Sequence, residues 1–201
     1  MTEPLNTTAA PDPFILSLRL DDDSFAFLDG LRRQYFPPER NFIAAHVTLF
    51  HALPGDAASV TVIRETLDAV CATTARFDLE LPGLRSLGRG VAVEISSPAL
   101  LQLHRRLVEA FEAWLSAQDR QKFQPHVTIQ NKVPPEEARE LLANLSAGWE
   151  SVTAYANGLS LWRYRGGPWE GAGTFLFGKG DENISETASQ TDFAAPVTLR
   201  E

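Results

Sequence analysis

Cysteine is nearly absent: Cys71 is the only one in 201 residues. No disulfide can form within the chain, and its place in the apolar run Ala69-Val70-Cys71-Ala72 predicts a buried, inert thiol. No apolar stretch approaches the roughly 20 residues of a membrane span, and the start of the sequence lacks a basic segment followed by a hydrophobic one. A cytoplasmic protein with no membrane partner is the expectation. Positive charge is in short supply, with 18 Lys and Arg against 26 Asp and Glu and a net charge of −8. That balance disfavours grip on long nucleic acid, so a nucleic-acid ligand should be small or held by one end. A phosphate-binding glycine loop is also missing, because no helix opens directly after Gly83, Gly88 and Gly90. What remains, 44% hydrophobic and 22% charged, is an ordinary globular composition with room for one sizeable domain or two small lobes.

Against these absences stands one repeated stretch, His46-Val47-Thr48-Leu49 and His126-Val127-Thr128-Ile129. With 4 His and 14 Thr in the chain, only about 0.3 His-x-Thr triplets are expected by chance. Each run reads as a strand, in which alternate side chains share a face. His and Thr then point one way and the aliphatics the other, so each motif is a rod carrying a base and a hydroxyl. Two imidazoles can supply the base and the acid of a phosphoryl-group reaction, and two hydroxyls can donate to the non-bridging oxygens. Strict alternation also places Phe50 beyond Thr48 as a base-stacking or core residue, puts Gln130 and Lys132 on the face of His126 as substrate contacts, and turns His51 to the face opposite His46. His104, beside an apolar helical stripe, reads as structural.

The motifs occupy equivalent places. Phe14 to Leu20 reads as a strand, Asp21-Asp22-Asp23-Ser24 as a helix start rather than a metal loop, and residues 43–50 as the first His-Thr strand, followed by a helix from Ala58 to Ala75. The order strand, helix, His-Thr strand, helix returns as Val91 to Ile95, Pro98 to Ala117, the second motif, and Pro134 to Ala147. Phe77 to Leu81 and the aromatic, β-branched stretch from Trp149 onward supply further strands, with a bend or bulge at Gly158. The expected fold class is α+β: a bilobal, pseudo-symmetric arrangement of two small sheets backed by helices with a central cleft. Residues 1–13 read as a flexible arm, 14–180 as a single bilobal domain, and 181–201 as a disordered tail.

The paired motifs, the approach Lys122-Phe123-Gln124-Pro125 to the second of them, and the closing strands from Leu159 to Phe177 resemble the two-histidine phosphoesterase superfamily, and within it the LigT-like family of 2′-5′ RNA ligases and cyclic phosphodiesterases. The resemblance covers about residues 14 to 178. It implies catalytic His46 and His126, phosphate-binding Thr48 and Thr128, no metal and no other cofactor, and a monomer acting on a nucleotide or RNA-end substrate. The family often places an Arg after the second motif, where this chain has Gln130, Asn131 and Lys132. Lys132 can substitute only as a point charge, without the bidentate fork of Arg. Two other classes stay open: a non-catalytic nucleotide-binding module, and a metal-dependent hydrolase with the two histidines as ligands, against which stands the lack of a carboxylate at ligand spacing.

Overall fold

The computed structural model describes residues 11–178. In chain order these form β1 (Phe14–Leu20), α1 (Asp22–Tyr35), β2 (Val47–Leu53), α2 (Ala57–Ala72), β3 (Phe77–Leu81), β4 (Leu84–Ser86), β5 (Gly90–Glu94), α3 (Pro98–Ala110), β6 (His126–Asn131), α4 (Pro135–Ser146), β7 (Val152–Arg163) and β8 (Glu170–Leu176). The class is α+β. One sheet runs β2-β1-β7-β3, with β8 also paired to β7, and the other runs β4-β5-β6. All pairings between these strands are antiparallel. The two lobes are therefore unequal, five strands against three, although each carries one His-Thr strand at its edge.

Local chemistry explains the helix starts. Asp21 caps α1 by accepting the Ser24 N–H at 2.9 Å, with Asp22 and Asp23 in the first turn. Asp56 caps α2 through Ser59 N–H, and Ser97 caps α3 with Pro98 at the first helical position. These are the arrangements that satisfy the unpaired donors of a helix N-terminus and its dipole. Helix α3 ends at Ala110, seven residues short of the expected Ala117. Phe111 leaves helical geometry there, fully buried, edge-on to Phe50 and stacked on Trp114.

The first His-Thr strand begins later than its composition predicts, at Val47 rather than near residue 43. Side chains of α1 occupy the main chain just before it: Arg32 Nε donates to the Ile43 carbonyl at 2.9 Å, and Asp29 Oδ1 accepts the Ala45 N–H at 2.8 Å. Those groups are thus unavailable to a strand partner. A single core of aliphatic and aromatic side chains, including Leu16, Leu28, Val47, Leu67, Val93, Leu103, Val127 and Leu159, runs through both lobes. Glycine is required where β5 meets β6, since a Cβ on Gly90 would collide with the Gln130 carbonyl. The β1–β7 register shifts between Gly158 and Ala156, so the extra residue of the bulge is Asn157, beside the expected Gly158.

Of the expected N-terminal arm, residues 11–13 are described, and they are anchored: Asp12 pairs with Arg165 at 3.2 Å and the Pro13 carbonyl accepts Tyr164 N–H at 3.0 Å. The rest of that arm and the expected tail lie outside the described residues. Cys71 is buried, and burial, with Asp68 adding to it, pushes its thiol up to about 12. Among the described residues no helix is long and apolar enough to cross a membrane.

Candidate active site

Both motifs break alternation at the same place. Ser17 pairs with Thr48 but Leu16 pairs with Phe50, so one step on β1 opposes two on β2. Likewise Ala92 pairs with Thr128 but Val91 pairs with Gln130. A β-bulge therefore sits at Leu49 and another at Ile129, one residue after each Thr, and the pattern of burial from His46 to Phe50 is that from His126 to Gln130.

The bulges bear on three sequence expectations. Phe50 is turned to the face of Leu16, is wholly buried, and lies against His104 and Phe111, so it is core and not a base-stacking platform. Gln130 is turned inward too, 4% exposed, with Nε2 donating to Glu137 Oε1 at 3.2 Å. His51 stands between the bulge at Leu49 and a second register shift before Leu53, exposed where Phe50 is buried, so simple alternation does not describe its position. Lys132 lies beyond the end of β6 at φ 62° and lines a groove with Gln34, Tyr35 and Glu137. It therefore does not continue the His126 face; Asn131 takes that position.

His46 and His126 are held alike. His46 Nδ1 lies 2.7 Å from the Ala44 carbonyl and His126 Nδ1 lies 2.8 Å from the Gln124 carbonyl, each two residues back. A carbonyl only accepts, so each Nδ1 carries a hydrogen and each Nε2 is the nitrogen left for chemistry. Burial pushes His46 down to about 4; its bond to Ala44 opposes this, and the charges of Arg32, His126 and His51 add to it. Burial also lowers His126, against its bond to Gln124 and with help from Arg85 and His51. Each catalytic candidate thus feels charges from across the cleft, and His46 feels His126 itself. Thr48 and Thr128 are half-buried beside them.

Several residues of this site have no motif to announce them. Arg32, 5% exposed, donates to the carbonyls of Ile43 and Thr128 and to Asn41 Oδ1, tying α1 to both motifs. Arg85 Nη1 donates to Gln124 Oε1 at 2.8 Å, and its Nη2 stands 2.9 Å from His126 Nδ1. Since that Nδ1 already donates to Gln124, the Nη2 contact is a close approach of positive charge. Trp169 packs over the His46 ring at 4.5 Å and against Trp162, whose Nε1–H donates to Ser17 Oγ at 2.8 Å. His104, expected to be structural, is buried and stacks at 3.8 Å on Phe123. Among the described residues no three His, Cys, Asp or Glu side chains converge on a metal-sized site.

Solved structures share this fold. TT0787 of Thermus thermophilus superposes with a TM-score of 0.58 at 16% identity, over 83% of this chain and 98% of that one. E. coli LigT complexed with 3′-AMP gives 0.56 at 16% identity, over 84% and 99%, and LigT complexed with phosphate gives 0.56 at 17%, over 85% and 100%. No curated protein sequence matches the chain. The sequence model of the 2′-5′ RNA ligase superfamily matches residues 20–168, both His-Thr motifs included, and the chain belongs to that superfamily.

Proposed function

We propose that this protein is a metal-independent phosphoesterase that opens 2′,3′-cyclic phosphates, or acts on 2′-5′ linkages, at RNA ends or on small nucleotides. The observation that carries this reading is the matched pair of imidazoles, one just before β2 and one at the start of β6, each with Nδ1 tied to a carbonyl, Nε2 left free and a Thr two residues on. His46, pushed down to about 4, is neutral at pH 7 and takes the proton of the attacking water. His126, in its protonated form, donates its proton to the departing ribose oxygen. The hydroxyls of Thr48 and Thr128 donate to the non-bridging oxygens as charge accumulates there. That LigT, of the same fold, is complexed with 3′-AMP and with phosphate supports a nucleotide phosphate as ligand. Residues 14–180 as one bilobal domain, acting as a cytoplasmic monomer, complete the reading.

The test is turnover of adenosine 2′,3′-cyclic phosphate by the purified protein in excess EDTA. Retained turnover is the expected result. Loss in chelator, restored by one divalent metal, would replace this proposal with a metal-dependent hydrolase.

A further inference from the structure

Strand β2 carries two register shifts, one at Leu49 and a second between Phe50 and Leu53, and between them stands a third imidazole whose charge reaches both motif histidines. The His51 side chain is 45% exposed, where that of Phe50 is buried. It is also held. Its Nδ1 lies 2.9 Å from Asp119 Oδ1, which accepts the His51 backbone N–H at 2.9 Å as well, while Asp119 Oδ2 accepts the Ser116 hydroxyl at 2.6 Å. Burial pushes the Asp119 carboxyl up, but the hydrogen bonds from His51 and Ser116 outweigh it and leave the group below its ordinary range. The carboxylate is thus ionised and accepts only, so His51 Nδ1 carries the hydrogen and Nε2 is the free nitrogen. The Asp119 loop is already fastened by the backbone N–H and by Ser116. The imidazole adds one more hydrogen bond to that closure, and in return the carboxylate fixes the orientation of the ring.

From Thr48 to His51 the chain advances by roughly 7 to 10 Å along the strand. This is too far to share the phosphate that Thr48 holds and within reach of the next phosphate of the same ligand. An oriented Nε2 beside a buried carboxylate suits such a group, because the protonated ring donates a charge-assisted hydrogen bond while Asp119 balances its charge.

We propose that His51, oriented by Asp119, is a specificity residue that binds a second phosphate of the substrate, adjoining the one on which His46 and His126 act. This rests on the phosphoesterase reading above. The second phosphate belongs either to the next phosphodiester of an RNA chain or to the pyrophosphate of an ADP-ribose-type nucleotide.

Three substrates separate the cases: a cyclic mononucleotide with one phosphate, a dinucleotide ending in a 2′,3′-cyclic phosphate, and ADP-ribose cyclic phosphate. The wild-type protein should prefer one of the two-phosphate substrates in kcat/KM, and which one it prefers identifies the source. His51→Gln should reduce that preference about 10- to 100-fold through KM, the range for losing a hydrogen bond to a charged group. His51→Lys, which restores a positive charge, should recover part of it, and Asp119→Asn should reduce it without changing His46 or His126. A preference ratio unchanged in both His51→Gln and Asp119→Asn, with all three substrates still turned over, overturns the assignment of His51 alone. So does an equal fall in kcat on all three substrates, which marks a merely structural pair. A wild-type protein inert on all three overturns the phosphoesterase reading, and this proposal with it.

Discussion

Arg32 on α1 donates to the main-chain carbonyl of Thr128, 96 residues away, at 2.7 Å. Its Nε is shared between Asn41 Oδ1 and the Ile43 carbonyl, each at 2.9 Å, so one buried guanidinium joins the approach to the first motif with the middle of the second.

Arg32→Ala removes those donors and leaves their acceptors stranded. Unfolding in denaturant should show a loss of about 3 kcal/mol at unchanged m-value. Arg32→Lys should recover only part of it, since a point charge cannot serve three acceptors set out for a planar fork. A loss below about 0.5 kcal/mol would separate the two motifs energetically.

The depressed His46 ties stability to pH. Its folded pKa, about 4, lies below the roughly 6.5 of an unfolded chain. Between these values the unfolded state binds more protons, so stability rises with pH across the window and is lost as pH falls through it. The decline should amount to about 1 to 3 kcal/mol. It should shrink in His46→Gln, which has no proton to gain, when unfolding free energies are compared at about pH 4.5 and pH 7.

Trp169 is part of what keeps water from that ring. In Trp169→Ala the His46 resonance, followed by NMR titration, should move back towards about 6.5, and the acid limb of the kcat/KM profile should move up with it. An unmoved titration would show that other neighbours supply the burial.

Removing either proton-transfer group typically costs on the order of 10² to 10⁴ in rate. His46→Ala and His126→Ala should each fall by that much on a cyclic nucleotide. The double variant should lose far less than the product, because groups that act as a unit are not additive. Thr48→Val and Thr128→Val should lose less than either histidine variant, each deleting one donor while proton transfer persists. Near-wild-type turnover in either histidine variant would remove these residues from the mechanism.

Phe50 should behave as core. Phe50→Ala should lower stability by about 3 to 5 kcal/mol, the usual cost of emptying a buried aromatic position, while leaving the rank order of nucleobases in the substrate unchanged. An altered base preference in a stable Phe50→Leu protein would return the ring to the ligand.

Strands with strong composition were legible from the residues: Phe14–Leu20 and Phe77–Leu81 have the observed bounds. So was the role of the Asp21 to Ser24 stretch, because a cap acts within one turn of helix. The bulges were not, since Leu49 and Ile129 are ordinary strand residues and neither carries the glycine that can mark such an irregularity. The extra residue at Leu49 and at Ile129 was enough to send Phe50 and Gln130 inward, and a second register shift on β2, between Phe50 and Leu53, adjoins His51. Arg32 and Arg85 were equally hidden, because their bonds to the motif segments cross 96 and 39 residues of sequence and depend on how the sheets meet. Trp169 lies in the turn between β7 and β8, where nothing in its neighbours specifies the ring it covers.

The paired bulges also bear on how a ligand can lie in the cleft. Two strands with the same His, Thr and bulge form nearly a twofold site, and a twofold site accepts its ligand equally well in either of two opposed directions. The fifth residue after each motif histidine breaks that equivalence, being His51 on β2, bonded to Asp119, and Asn131 on β6, whose Oδ1 accepts the Lys132 N–H at 2.7 Å. The two ends offer different groups: an imidazole held by a carboxylate at one, and at the other an amide, with Arg85 close to His126. A ligand with unlike ends therefore meets unlike groups in its two orientations, and the near-twofold site does not treat them alike.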